Sequence, residues 1–207
     1  MTSALTAESV PRADRITMRI IGVLAAIMGL ALAAGQFTRA AHCLWGDEVG
    51  LTLLADQAVP VRPGTGVRTA EIETVSLTVD ALAMPTRALF AVGAVLLALT
   101  ALAVAGAVTG LLLAAASGRP FRPRLYRFSL VAGLLLVVGP LTATAMTGFA
   151  SMMAADELND AVDGILLPGF EVSSWGMTIP VIGLAVIALG YLFRRMEGLQ
   201  HETDGLV

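Results

Sequence analysis

A group of carboxylates in the second half of the chain has the residue types and spacing that could do chemistry. It comprises Asp156, Glu157, Asp160 and Asp163. Separations of three and four residues place side chains on one helix face, where several carboxylate oxygens could hold calcium. The segment lacks the fixed glycine and the terminal glutamate of an EF-hand loop. We therefore favour a solvated acidic helix end, with a calcium site as the alternative.

Three hydroxyl residues form a second set, because they share one stripe of an otherwise apolar segment. They are Thr144, Thr147 and Ser151, with Gly148 beside them. Such hydroxyls bond across to a neighbouring helix or back to the backbone of their own helix, and they can also line a polar path. We favour an interhelical polar stripe that serves packing, and a transport path is the alternative.

The other chemically capable residues form no catalytic constellation. Cys43 is the single cysteine, and His42 and His201 lack the neighbouring ligands that a metal site requires. No nucleophile and base pair, glycine-rich phosphate loop or cofactor motif can be assembled from the sequence. The net charge of −3 gives no reason to expect a nucleic-acid partner. The sequence therefore predicts a protein that is not an enzyme and that binds no metal or cofactor.

The elements that must carry these residues are membrane helices. Hydrophobic residues make up 57% of the 207 residues, which is more apolar surface than a soluble core of this size needs. A helix needs about 20 apolar residues to cross the hydrocarbon core of a bilayer. Four segments meet or approach that length, at residues 18–37, 87–116, 128–155 and 175–193. We predict an all-α integral membrane protein, a four-transmembrane-helix bundle forming one domain over residues 1–207.

The first apolar segment has a second interpretation. Arginines precede it and the small residues ALAAG end it, as in a cleaved signal peptide. Its apolar run is longer than the core of roughly 7–15 residues that signal peptides usually have. We favour a retained membrane helix.

The distribution of arginine gives the predicted orientation. The loop at residues 117–127 holds four arginines, whereas the loop at residues 156–174 holds acidic residues and no arginine. Basic residues accumulate in cytoplasmic loops. The sequence therefore predicts a multi-pass plasma-membrane protein whose N-terminus and C-terminal tail, residues 194–207, are cytoplasmic. The loop arginines would contact the anionic cytoplasmic leaflet of the bilayer.

Arg87 stands at the start of the second apolar segment. An ionisable residue at membrane depth usually marks a functional path, but a long side chain near a helix end can reach the interface instead. We expect Arg87 to extend toward the membrane interface.

The connection at residues 39–83 has a different pattern, in which apolar residues occupy alternate positions of two stretches. They are Val49, Leu51, Leu53 and Ala55 in the first, and Val75, Leu77, Val79 and Ala81 in the second. A period of two is typical of half-buried strands, and prolines and glycines between them predict a turn. We predict a small extracytoplasmic β-segment that leans on GILLPGFEV in the last loop, which could supply another short extended piece. A flexible polar loop is the alternative.

Two pieces of the chain resemble a known family. They are the loop GRPFRPRLYRF, with Gly118, Pro120 and Phe121, and the tail FRRMEGLQHETDGLV, with Glu202, Gly205, Leu206 and Val207. Both are similar to the bacterial membrane family called domain of unknown function 2975, notably its actinobacterial members. The resemblance spans nearly the whole chain. It implies four membrane helices with an extracytoplasmic segment after the first, and it carries no established activity.

The predicted function is that of a non-enzymatic regulatory or interaction protein of the bacterial plasma membrane. A homo-oligomer, or a membrane or cytoplasmic protein partner, is expected. The alternative is a small transporter or a subunit of an export system. The candidate contacts to lipid or partner are Arg119, Arg122, Arg124, Arg127, Glu202, Gly205, Leu206 and Val207.

Overall fold

A computed structural model describes residues 12–58, 71–116, 123–170 and 174–204. These residues are mostly helical and include one small antiparallel sheet of two strands. A short 3-10 helix, Asn159–Val162, follows the third long helix. The elements in chain order are α1 Arg12–Trp45, β1 Val49–Ala58, β2 Glu71–Val79, α2 Met84–Ala116, α3 Pro123–Leu158 and α4 Ser174–Asp204.

Three helical stretches are long and apolar enough to cross a membrane, judged by length and composition. They are Ala13–Trp45, Met84–Leu113 and Tyr126–Val162. A shorter apolar helical stretch, Thr178–Leu192, lies within the fourth predicted segment. The remaining residues of that segment belong to α4, but their side chains lie outside the described part of the chain.

The predicted boundary between the first helix and the β-segment needs a correction. Helix α1 continues to Trp45, so residues 39–45 are helical and the sheet begins only at Val49. Those residues carry nothing that opposes a helix, and the first residue that favours an end is Gly46. The Gly46 N–H donates to the carbonyl of His42 at 2.9 Å, which closes the last turn.

The chain divides into two compact units. The first consists of Met1–Ala33, Leu99–Val138 and Ile179–Val207, and the second of Ala34–Ala98 and Gly139–Thr178.

In the first unit, small residues allow helices to approach closely, as is common in membrane proteins. Gly133 of α3 and Gly183 of α4 lie so near each other that a Cβ on either would come within 2.8 Å of the other's carbonyl oxygen. The rings of Tyr126 and Tyr191 join the same two helices in an edge-to-face contact, with centroids 5.6 Å apart.

The second unit has its own core, formed where helices meet one face of the sheet. Alanine supplies much of the helical side, since Ala150 and Ala154 are completely buried. Among the described residues, the buried members of this core cluster are Ala40, Cys43, Val49, Leu51, Leu53, Leu82, Phe90, Ala91, Ala94, Ala150, Ala154, Ala155 and Leu166.

Candidate functional site

The sheet of the second unit confirms the period-two pattern in the sequence. Leu51 pairs with Leu77 and Leu53 with Val75 across the two antiparallel strands. The β1 members of these pairs are buried and the β2 members are half-buried, so one face of the sheet joins the core. The residues between them are exposed or half-buried, and they form the outer face.

The predicted third extended piece is also confirmed. Leu166 forms an antiparallel bridge with Ala55 on the side of β1 that is remote from β2. The N–H of Asp56 donates to the carbonyl of Ile165 at 3.1 Å, and the N–H of Leu167 donates to the carbonyl of Leu54 at 2.9 Å. Strand β1 is therefore paired along both edges near its middle.

A tight turn after α3 places Leu166 beside strand β1 of the sheet. Asp163 and Gly164 both have left-handed backbone angles, with φ of 56° and 76°. The Asn159 side-chain oxygen accepts from the N–H of Leu166 at 3.1 Å, and its carbonyl accepts from the N–H of Gly164 at 2.9 Å. An asparagine that bonds to nearby backbone in this way fixes the geometry of a turn.

Arg87, near the start of α2, is bound to the end of α1. Its Nε donates to the carbonyl of Cys43 at 2.6 Å, and its Nη2 donates to the carbonyl of Gly46. The last carbonyls of a helix lack partners within it and carry partial negative charge, so a guanidinium is favourable there. From the sequence, this side chain was predicted to extend toward the interface; in the structure it has two backbone partners.

Glu157, in the last turn of α3, is bound to the start of α2. One carboxylate oxygen accepts from the N–H of Ala83 at 2.9 Å, and the other accepts from the hydroxyl of Thr86 at 2.5 Å. Thr86 is completely buried, whereas Glu157 is exposed. A carboxylate is favoured at the start of a helix because it satisfies free N–H groups at the positive end. We call the side chains of Arg87, Thr86 and Glu157 the helix-end network.

Only one residue of the predicted acidic group belongs to the helix-end network. Glu157 takes part in it, whereas Asp156, Asp160 and Asp163 are exposed side chains. Among the residues with described side chains, no group of three or more histidine, cysteine or acidic residues could hold a metal ion. Glu157 therefore acts in the structure as a helix cap, a role that the sequence analysis did not assign.

The predicted polar stripe lies on α3 as expected, but the hydroxyls of Thr147 and Ser151 bond within that helix. The Thr147 hydroxyl donates to the carbonyls of Ala143 and Thr144, at 3.0 and 3.1 Å, and the Ser151 hydroxyl donates to the carbonyl of Thr147 at 2.9 Å. Contact with α2 comes from the Thr147 methyl group, which lies against Gly93. At Thr147 the stripe thus packs against α2 through a carbon atom, and the hydroxyls of Thr147 and Ser151 are turned to the backbone of α3.

Most of the predicted contact residues for lipid or a partner lie outside the described residues. This applies to Arg119, Arg122, Gly205, Leu206 and Val207. Arg124 lies in α3 and Glu202 in α4, but their side chains are outside the description. Arg127 is exposed on α3.

Comparison of the chain with family models, curated proteins and solved structures finds no match. Functional inference therefore rests on the geometry of the site. The helix-end network is the part of that geometry that the sequence analysis missed. Pro85, in the first turn of α2, is a readable sign of a helix start. Nothing local indicates that the partner of this helix start is a carboxylate 71 residues away in the chain.

The first unit contains an apolar groove between α1 and α2. Its volume is about 420 Å³, and it is lined by Ala26, Leu30, Leu102, Ala105, Gly106, Thr109, Gly110 and Leu113. The Thr109 hydroxyl donates to the carbonyl of Gly22 at 3.0 Å. The polar atom of the lining is thus already bonded, and the groove offers apolar contact to an acyl chain or another helix.

Proposed function

We propose that this chain is a multi-pass protein of the bacterial plasma membrane that holds a small β-sheet outside the membrane as a binding surface for protein partners. It acts by interaction and not by catalysis. The observation that carries this proposal is the helix-end network. Arg87 and Glu157 tie the end of α1 and the end of α3 to the start of α2, and the sheet packs on the same core.

A fixed sheet on helix ends is suited to recognition because it orders backbone and side chains before a partner arrives. The bridge from Leu166 to Ala55 adds to this order, since it ties the segment after α3 to the strand after α1. Three contacts between residues distant in sequence thus position the sheet: Arg87 to Cys43, Glu157 to Ala83, and Leu166 to Ala55.

The proposed topology places four membrane helices, α1 to α4, with both termini in the cytoplasm. It is supported by the four arginines at residues 117–127, two of which lie in the first turns of α3, and by the acidic residues at the end of α3 and after it. The resemblance to domain of unknown function 2975 agrees with this arrangement. On the cytoplasmic side, the loop arginines would contact anionic lipid, and the tail with Glu202 and Val207 would be available to a protein partner or to a second copy.

The transporter alternative has less support. In the stripe that would line its path, Thr147 and Ser151 direct their hydroxyls to their own helix backbone. The described parts of the three long apolar stretches place their charged side chains near the helix ends. A proton or ion relay usually requires ionisable groups deeper in the membrane.

Reporter fusions test the placement of the binding surface. A phosphatase that is active only outside the cytoplasm should be active when fused near Gly64 and inactive when fused at Val207. An inactive Gly64 fusion with an active Val207 fusion would overturn the topology and, with it, the proposed function.

A labelling experiment checks the same placement in the full chain. In a Cys43→Ser background, which contains no other cysteine, Thr78→Cys should react in intact cells with a maleimide that cannot cross the membrane. Arg127→Cys is the matched control, because Arg127 is also exposed, and it should react only after the cells are opened.

A further inference from the structure

The outer edge of β2 can be assigned from the bonds on the other side of the sheet. The carbonyl of Leu54 and the N–H of Asp56 bond to the segment around Leu166. Successive residues of an antiparallel strand direct their backbone groups to alternate sides. Leu53 therefore directs its N–H and carbonyl toward β2, where its partner is Val75.

The same alternation identifies the residues of β2 whose backbone groups point away from β1. They are Thr74, Ser76 and Thr78, and all three are exposed. Within residues 12–58, 71–116, 123–170 and 174–204, none of the three forms a further backbone hydrogen bond. We call this row of groups the β2 edge.

The β2 edge has the form that strand addition requires. Strand β2, with the sequence EIETVSLTV, has no proline and runs without an inserted residue. The irregularity of the sheet lies in β1, where Leu54 and Gln57 pair with Thr74 and Ile72. An exposed, regular edge of this length is a template on which an extended polypeptide can form main-chain hydrogen bonds.

The negative charge around the β2 edge favours a partner of positive charge. Glu71, Glu73 and Asp80 are exposed on or beside β2. The described arginines of the second unit are Arg39 and Arg87, and Arg87 is bound to the end of α1. Among the described residues of the unit, the exposed acidic ones are Asp47, Glu48, Asp56, Glu71, Glu73, Asp80, Asp156, Glu157, Asp160 and Asp163.

We propose that the β2 edge binds an extended, cationic segment of another polypeptide by strand addition. A second copy of this chain is a poor occupant, because edge-to-edge pairing would bring two strongly acidic units together. A segment rich in arginine or lysine instead gains from the negative potential while its backbone completes the hydrogen bonds of the edge. This inference rests on the proposed function and names the chemistry of its partner.

Peptide binding to the purified full-length protein in detergent tests the proposal. The probe is a blocked peptide of alternating valine and threonine that carries several arginines. Two matched peptides are an acidic twin, with glutamate for arginine, and a proline twin of unchanged charge whose backbone cannot complete the ladder. We expect the cationic peptide alone to bind, with an affinity that falls as salt is raised.

Variants of the protein locate the binding. Ser76→Pro removes an outward N–H and leaves the ladder to β1 in place, so the affinity for the cationic peptide should fall about tenfold. Ser76→Ala keeps that N–H and should bind as the wild type does. Glu71→Gln combined with Glu73→Gln should lower the affinity about threefold and reduce its dependence on salt.

Equal binding of the proline twin, or full affinity in a folded Ser76→Pro protein, would show adsorption to an acidic surface and overturn the proposal. If Ser76→Pro unfolds, two other variants still test whether the β2 edge binds the cationic peptide. They are Thr78→Pro, at the equivalent outward position, and the double glutamine variant. The reporter fusions test the proposed function separately, because peptide binding in detergent does not depend on topology. An active Gly64 fusion together with no peptide binding would overturn strand addition alone.

Discussion

Gly93 of α2 lies directly against the side chain of Thr147 of α3. A Cβ at Gly93 would come within 2.6 Å of the Thr147 methyl carbon and within 3.2 Å of the Ala143 carbonyl oxygen. Only a glycine lets the two helices approach this closely. The contact explains why a threonine is useful here, since its methyl group fills the space beside the glycine.

The first prediction concerns this contact. Gly93→Ala should lower the free energy of unfolding by about 1–3 kcal/mol, because the added methyl group overpacks the interface. Gly106→Ala in the same helix is the matched control, since nothing lies within 4 Å of the Cβ it would add. It should be neutral or slightly stabilising. Thermal unfolding in detergent measures both, and equal stability of the two variants would contradict the packing role of Gly93.

The second prediction separates the two groups of Thr147. Thr147→Val keeps a methyl group against Gly93 and loses hydrogen bonds within α3, so it should lower the stability by less than about 2 kcal/mol. Thr147→Ser keeps the hydroxyl but removes the methyl group, and it should be the less stable variant because it leaves a void between the helices. Thermal unfolding of the two variants in detergent shows which of them is less stable.

Thr147 also provides a test against transport. We expect liposomes that contain the wild-type protein and those that contain Thr147→Val to show the same ion flux as protein-free liposomes. Flux that depends on the Thr147 hydroxyl would favour a polar path along α3 over packing.

The third prediction concerns the carboxylate in the helix-end network. Glu157→Ala leaves the Ala83 N–H and the buried Thr86 hydroxyl without their partner. The variant should be less stable by about 0.5–2 kcal/mol, the usual range for loss of a helix N-cap. Asp156→Ala, an exposed neighbour, should change stability by less than about 0.5 kcal/mol. Equal stability of the Glu157→Ala and Asp156→Ala proteins would show that Glu157 does not stabilise the start of α2.

The fourth prediction concerns the guanidinium. Arg87→Met should lower the free energy of unfolding by about 1–3 kcal/mol, because hydrogen bonds from a charged donor to the Cys43 and Gly46 carbonyls are lost. Arg87→Lys should recover only part of this, since a single ammonium does not reproduce the fork of a guanidinium. Arg39→Lys on the exposed side of α1 is the control and should be neutral. Full recovery by lysine would mean that charge, and not geometry, matters at this helix end.

The fifth prediction concerns orientation in the membrane. Replacing Arg119, Arg122, Arg124 and Arg127 together with glutamine should give mixed insertion of α2 and α3, because in the proposed topology these residues supply the bias toward the cytoplasmic side. The reporter fused near Gly64 would then show intermediate activity. Uniform topology in this variant, combined with loss of assembly when residues 205–207 are removed, would instead make the loop a recognition element.

The features that the sequence predicted correctly are those that depend on neighbouring residues. Leu51 and Leu53 alternate with outward residues because one sheet face is buried, and that signal needs no knowledge of the rest of the chain. The bonds of Arg87 and Glu157 were missed because each joins a helix end to a backbone group or side chain more than forty residues away. From the sequence, a charged residue near a helix end can be either a solvated side chain or a partner of another helix end. The stripe at Thr147 was located correctly, but spacing alone does not distinguish a hydroxyl turned to its own backbone from one turned to a neighbour.

The pairing of Thr86 with Glu157 also has a consequence for the order of events during synthesis. The two residues are 71 positions apart, so the carboxylate leaves the ribosome about 4 to 14 s after the hydroxyl at ordinary rates of synthesis. During that interval the first turn of α2 has no cap from α3, and β1 cannot yet bond to Leu166. A nascent chain stalled before Glu157 should therefore expose the hairpin of β1 and β2 to proteases or chaperones, and one stalled well after Leu167 should protect it.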